Sequence, residues 1–273
     1  MTENTYKLIE QFRPQSIDIP IDKCELEKVI ETLVSLMFPI CNCPDSREVQ
    51  SELREAAEKL HANIARIHNL EAADIKTEAF FQKLPSLQQR LYKDAACYLK
   101  FDPAAKTLEE VIITYPGFFA LCVHRIAHEL HLLGLPLISR LFSEYAHSKV
   151  GIDIHPAAKV GKNLFMDHGT GIVIGETAEI GNNVKIYQGV TLGALYVEKK
   201  LSDVKRHPTV EDNVVIYANA TILGGSTVIG HDSTIGGGAW LTRSVIPYSL
   251  VTNPVDVKIR SGKDFNGPFD FVI

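Results

Sequence analysis

Asp153-Ile154-His155, Asp167-His168 and Arg206-His207 bring into one stretch of the chain the residue types that move protons and hold anions. A carboxylate that accepts from one imidazole nitrogen fixes the ring's tautomer and stabilises the imidazolium formed when the other nitrogen takes a proton. Asp153 and His168 could meet in this way across neighbouring rungs of a coiled chain. Such a pair is a general base, typically worth ~10²–10⁴ in rate. On residues alone, a structural Asp–His contact is as good a reading as a catalytic one. No Ser or Cys stands at an elbow motif, so the base would act directly on a substrate hydroxyl or amine. His61, His68, His124, His128, His131 and His147 fall in helical patterns with no carboxylate or Cys completing a metal set. His231 follows Gly230 at a turn. His155, His168 and His207 are enough in number for a three-histidine zinc site with an open position, but Asp167 and Arg206 beside them suit a small amino acid better.

The element that must position these residues runs from Ile152 to Ile246. Aliphatic residues recur there nearly every sixth position: Val160, Met166, Ile174, Ile180, Ile186, Leu192, then Val210, Ile216, Ile222, Ile229, Ile235 and Leu241. Six is neither the helical 3.6 nor the period of two of a lone strand. It suits a chain that turns three corners per coil and stacks one apolar residue per side into a continuous column. Gly, Asn and Asp follow the aliphatic positions, where tight corners need left-handed backbone or side-chain turn chemistry. Three faults break the rhythm. Asp167-His168-Gly169-Thr170-Gly171 slips the phase by two. A long polar excursion after Leu192 ends in Arg206-His207-Pro208, and one extra residue stands at Gly224-Gly225-Ser226. A regular solenoid that breaks its own rule tends to mark a site.

The first half reads differently. After an irregular leader to about residue 22, Leu26, Val29, Ile30, Leu33 and Leu36 share one helical face, stopped by Pro39. Further helical patterns cover about 47–68, 76–100 (open to interruption at Pro85), 108–115, 117–133 and 136–147. The expected organisation is α+β: a helical domain over 1–150, a parallel β-helix over 151–246 and a tail over 247–273. The tail ends in Phe269-Asp270-Phe271-Val272-Ile273, an apolar peptide behind a Gly/Pro-containing tether. A net charge of -5 gives no electrostatic reason to expect nucleic acid or an anionic membrane as partner. No apolar run approaches a membrane span, and no signal-peptide pattern stands at the N-terminus. Five cysteines, an odd number, point to a reduced, cytoplasmic setting, with Cys41 and Cys43 as free thiols.

The motifs Asp153-Ile-His-Pro-Ala-Ala-Lys-Val-Gly161, Asp167-His-Gly-Thr-Gly-Ile-Val-Ile-Gly-Glu-Thr177, Val190-Thr-Leu-Gly193 and Arg206-His-Pro208 together resemble the serine acetyltransferases. Asp102-Pro-Ala104 and Tyr115-Pro-Gly-Phe-Phe-Ala-Leu-Cys-Val-His-Arg-Ile-Ala-His128 extend the resemblance, which covers about 102–246. It implies a left-handed β-helix assembling as a homotrimer or a hexamer. It also implies acetyl transfer from acetyl-coenzyme A to the hydroxyl of L-serine, the first step toward cysteine, without a metal. By matching position, His168 is the general base and Asp153 its partner. Asp102 and Asp167 take the serine ammonium, and Arg206 and His207 its carboxylate, with His207 facing His168 from the adjoining subunit. Coenzyme A is expected along Gly193, Ala194, Ala218 and Gly237. Ile273 is implied to dock into O-acetylserine sulfhydrylase by capture of its terminal carboxylate. This chain departs from the family at Ala194-Leu195, at Phe119, at Thr252-Asn253-Pro254-Val255 and in the length and charge of the loop 194–205. Rival readings are an acetyltransferase for homoserine or a sugar, and a metal-dependent hydratase of the carbonic anhydrase sort.

Overall fold

The computed structural model describes residues 2–11, 18–38, 46–195 and 204–252. Cys41, Cys43, most of the charged excursion and Ile273 lie outside them. Among the described residues seven helices come first: α1 (Glu3–Gln11), α2 (Lys23–Met37), α3 (Ser46–Ile67), α4 (Leu70–Phe101), α5 (Leu108–Thr114), α6 (Pro116–Leu132) and α7 (Pro136–Val150). The starts of α2 and α4 carry side-chain caps. The Asp22 carboxylate accepts from the Glu25 N–H at 3.0 Å, and the Asn69 side chain accepts from the Ala72 N–H at 2.8 Å. Gly151, left-handed at φ 67°, ends α7.

Two expectations are corrected here. The leader contains α1, a helix the Pro-flanked irregular reading missed, with Tyr6 and Ile9 exposed. And α4 runs unbroken through Pro85, because Phe80 before it and Leu87 and Leu91 after it are all buried in one core and hold the helix across the missing hydrogen bond.

Among the described residues fourteen short strands follow as a left-handed parallel β-helix of about five coils. The first coil holds β1 (Asp153–Ile154), β2 (Lys159–Val160) and β3 (Phe165–Asp167). The second holds β4 (Val173–Ile174), β5 (Glu179–Ile180) and β6 (Lys185–Tyr187). The third holds β7 (Thr191–Gly193), β8 (Thr209–Val210) and β9 (Val215–Ile216). The fourth holds β10 (Thr221–Leu223), β11 (Val228–Ile229) and β12 (Thr234–Ile235), and β13 (Trp240–Leu241) and β14 (Leu250–Val251) close the stack. Three parallel sheets result: β1-β4-β7-β10-β13 (sheet A), β2-β5-β8-β11 (sheet B) and β3-β6-β9-β12-β14 (sheet C).

The register locates each fault. Asp153 pairs with Val173, so the extra residues of the first coil leave at Asp167–Gly171. Ile174 sits on Leu192 with the regular spacing restored. Ile180 pairs with Val210 across the excursion, and Val210 with Ile229 across the single inserted residue. Inside, Ile154, Ile174, Leu192 and Ile222 form one buried row, with Met166, Ile186, Ile216 and Ile235 as another. Ala120 and Leu121 of α6 cap this column.

The helices are tied to the first coil by polar contacts as well. Asp94 and Arg125 form a buried bidentate pair, with Nε–Oδ2 2.6 Å and Nη2–Oδ1 3.1 Å. Arg125 also donates to the Gly161 carbonyl at 2.9 Å, and Asp94 accepts from the Asn163 N–H at 2.9 Å. Gly117 at the start of α6 lies so close to the Met166 backbone that no Cβ would fit.

Candidate active site

The predicted residues collect at two different corners of the β-helix. The first lies where sheet C passes to sheet A. His168 directly follows β3 in left-handed backbone at φ 56°, and Gly169 and Gly171, at φ 84° and 82°, complete the detour. An imidazole in this sparsely populated region costs backbone energy, and such costs cluster at functional sites. The detour pushes His168 outward, its side chain 73% exposed, with Nε2 3.9 Å from Asp167 Oδ1.

Asp102 reaches the same corner from the end of α4. Its Oδ1 accepts from the Ala104 N–H at 2.8 Å and its Oδ2 from the Tyr115 hydroxyl at 2.5 Å. Lys185 of β6 lies 3.8 Å above the Phe101 ring and holds that helix end against the coil. Burial, the Asp102 hydrogen bond and the nearby charges of Asp102, Glu110 and Asp167 push the Tyr115 hydroxyl well above its ordinary range. Asp102 and Asp167 therefore act on one spot, beside His168.

Asp153 opens β1 next to Ile152, against which Gly169 packs. Its Oδ1 is buried with no hydrogen-bond partner, and no ion pair or hydrogen bond joins it to His168 in a single chain. Its carboxylate instead lies with Glu144 and His147 of α7, their ligand atoms within 4.8 Å of one another. An orphan buried acceptor is costly, about 1–3 kcal/mol.

The second corner lies where sheet A passes to sheet B, and it holds Arg206 and His207. Arg206 is paired with Glu176, one coil below. Thr177 organises both residues: its Oγ accepts from the Arg206 and His207 N–H groups at 2.9 and 3.0 Å, and its own N–H donates to His207 Nδ1 at 3.1 Å. With Nδ1 accepting, the proton of the neutral ring stands on Nε2. The ring lies over Gly175, where any Cβ would overlap it. His155 shares this corner, its Nδ1 accepting from the Ala157 N–H at 3.1 Å. His155 and His207 thus stand together while His168 stands at the other corner, so the three imidazoles do not converge on a zinc position within one chain.

Burial pushes the imidazoles of His155 and His207 down to about 4, with Arg140 and Arg206 respectively adding to it and Glu176 opposing. Between pH 6.5 and 4 the unfolded chain binds protons that these folded rings refuse, so stability is full above that window and falls as pH drops through it. Melting temperature is expected to decline from pH 7 to 4.5, with a shallower decline in a His155→Gln/His207→Gln double variant. Parallel declines would contradict this.

The residues expected along coenzyme A divide in the same way. Gly193 ends β7 and Ala194 follows it at the second corner, whereas Ala218 and Gly237 follow β9 and β12 at the first, with the Gly238 N–H donating to the Ala218 carbonyl at 2.9 Å. Glu176 and Thr177 were visible in the sequence only as parts of a motif. Their role depends on the register across the excursion, which brings Thr177 beside His207. Thr177→Val removes the oxygen that holds both backbone N–H groups, and is expected to raise the serine KM about fivefold or more, by loosening the Arg206-His207 pair, with a smaller change for the acetyl donor. Equal changes in both KM values would contradict that role.

No family model matches the chain. A serine acetyltransferase of Synechococcus elongatus is 50% identical over 190 residues, which are 68% of this chain and 58% of that protein. The serine acetyltransferase of Staphylococcus xylosus is 43% identical over 183 residues, 67% of this chain and 82% of that one. The chain belongs to the serine acetyltransferase family. Among solved structures, serine acetyltransferase isoform 3 of Entamoeba histolytica, in complex with cysteine, superposes with a TM-score of 0.79 at 31% identity, covering 96% of this chain and 94% of that one. The serine acetyltransferase of Neisseria gonorrhoeae, in complex with serine, gives 0.59 at 25% identity, covering 93% and 86%. The chain is thus an acyltransferase on a hexapeptide-repeat β-helix.

Proposed function

We propose that this serine acetyltransferase moves acetyl from acetyl-coenzyme A to the hydroxyl of L-serine, giving O-acetyl-L-serine and coenzyme A, in a site formed between two chains. The observation that carries this reading is the division of the site. Asp102, Asp167 and His168 meet at one corner and Arg206 with His207 at the other. Serine carries an ammonium and a carboxylate, and each needs a counter-charge when desolvated. The acidic corner of one chain set against the basic corner of a second supplies both, with His168 between them. The Neisseria gonorrhoeae relative, solved with serine, supports the acceptor.

In this mechanism His168 Nε2 accepts the hydroxyl proton, and the serine oxygen attacks the thioester carbonyl. The tetrahedral oxyanion collapses with loss of the coenzyme A thiolate, a better leaving group than an alkoxide. Asp153, through its unused oxygen, would orient the ring and stabilise the imidazolium. Arg206 suits the carboxylate through its fork of donors, and His207 presents Nε2–H. The donor would lie along Gly193 and Ala194 of one chain and Ala218 and Gly237 of the other. A homotrimer, alone or doubled to a hexamer, supplies the required facing corners. Docking of Ile273 to O-acetylserine sulfhydrylase belongs to the same proposal and concerns residues outside those described. So does action in the cytoplasm; among the described residues no single helix is long and apolar enough to cross a membrane.

Thiol release from acetyl-coenzyme A tests the reaction. L-serine is expected to outperform L-homoserine, other amino alcohols and sugars in kcat/KM. A better acceptor lacking either the ammonium or the carboxylate would overturn the assignment.

A further inference from the structure

The outward column that begins at Asp167 continues in a way the acceptor site does not use. Asp167 pairs with Tyr187 on the next coil. The Ile186–Ile216 register then places Tyr217 one coil beyond Tyr187. Their rings stack, with centroids 5.0 Å apart and planes 14° from parallel, matching the ~4.8 Å rise between coils. The Ile216–Ile235 register sets Gly236 above Tyr217, so the third coil's ring has no side chain of the fourth coil over it. Tyr217 is 44% exposed, and neither ring belongs to the apolar column inside the β-helix. Beside Tyr217 run Ala218 and Gly237, both without bulk.

The result is an aromatic face turned toward a step cleared of side chains, two coils along the axis from His168. We propose that Tyr217, backed by Tyr187, is the wall against which the pantetheine arm of the acyl donor lies. This rests on the acetyl-transfer reading above. The donor's reacting carbonyl must stand at His168, and its arm must leave along the corner, because Asp102 and Asp167 take the other direction for the acceptor. Two coils are roughly 10 Å. That reach passes beyond the thioester and its first amide, and falls within the arm rather than at the adenine. An amide plane over a tyrosine face combines apolar burial with the ring's quadrupole, and contacts of this kind contribute fractions of a kcal/mol to somewhat over one. Tyr187 cannot be uncovered in the same way, because Tyr217 lies on it.

The test uses the full-length chain with Tyr217→Ala and Tyr217→Phe, and three donors: acetyl-coenzyme A, S-acetylpantetheine, and S-acetyl-N-acetylcysteamine, which lacks the distal arm. Wild-type thiol release with serine is measured first; its absence would defeat the acetyl-transfer reading and this inference with it. If that activity is present, Tyr217→Ala is expected to raise the KM of the two longer donors by about threefold to tenfold. The serine KM, kcat and turnover of the short donor should stay within about twofold, and Tyr217→Phe should behave as wild type. Unchanged KM for acetyl-coenzyme A, with a lowered melting temperature, would overturn the inference and make the stack a strut of the coil. An equal effect on the short donor would also overturn it, placing the contact at the thioester.

Discussion

Folded His168→Ala enzyme is expected to lose about 10²-fold or more in kcat while keeping its assembly and melting temperature. His168 contributes nothing to the core: its side chain is 73% exposed, and its backbone turn is carried by Gly169 and Gly171 as well. Its removal should therefore be silent in every measurement but turnover. Asp153→Asn should cost less, since the ring remains and loses only the carboxylate that would orient and stabilise it. The two variants also separate the readings of Asp153. If its carboxylate served only Glu144 and His147 in α7, Asp153→Asn would alter stability and leave kcat unchanged. Near-wild-type turnover by folded His168→Ala would remove the base altogether.

The largest stability effect is expected at Arg125. Asp94 and Arg125 are 1% and 3% exposed and joined by two hydrogen bonds, and each also reaches the first coil of the β-helix. Arg125→Ala leaves the buried Asp94 carboxylate without the guanidinium paired to it and removes one of the two donors to the Gly161 carbonyl, leaving Arg90, for a loss of about 3–5 kcal/mol. Replacing both partners with apolar residues of similar volume should cost much less, because the desolvated charges vanish together. Urea unfolding at a fixed chain concentration would measure both, since assembly contributes to apparent stability. A mild effect in Arg125→Ala alone would mean that the helices are held to the coil by packing, chiefly around Gly117, Tyr98 and Phe165.

The β-helix was legible because its signal is periodic and redundant. Ile174, Ile180, Ile186 and Leu192 each repeat the same instruction, and the three faults were visible as phase slips before any register was known. The long helices were legible for the same reason, through faces such as Leu26, Val29, Ile30 and Leu33. Helix α1 was not: its Tyr6 and Ile9 are exposed and give no buried periodic face to read. Site residues divide along a similar line. His168 and Arg206-His207 stood out because they sit in faults. Thr177 and Glu176 did not, because their partners lie across a thirty-residue offset that only the stacked coils close. The assignment of residues to two separate corners is likewise a property of register and handedness, and no local pattern expresses it.

Complementation between two inactive variants tests the shared site most directly. His168→Ala chains keep an intact basic corner, and Arg206→Ala chains keep an intact acidic corner. Each homo-oligomer should be nearly inactive. Co-expressed and purified as mixed assemblies through two different tags, they should recover about a quarter to a third of wild-type activity, because each mixed trimer holds one rebuilt interface in three. Mixed assemblies as inactive as their parents would contradict a site formed between chains, and would require His168 and Arg206 to act within one.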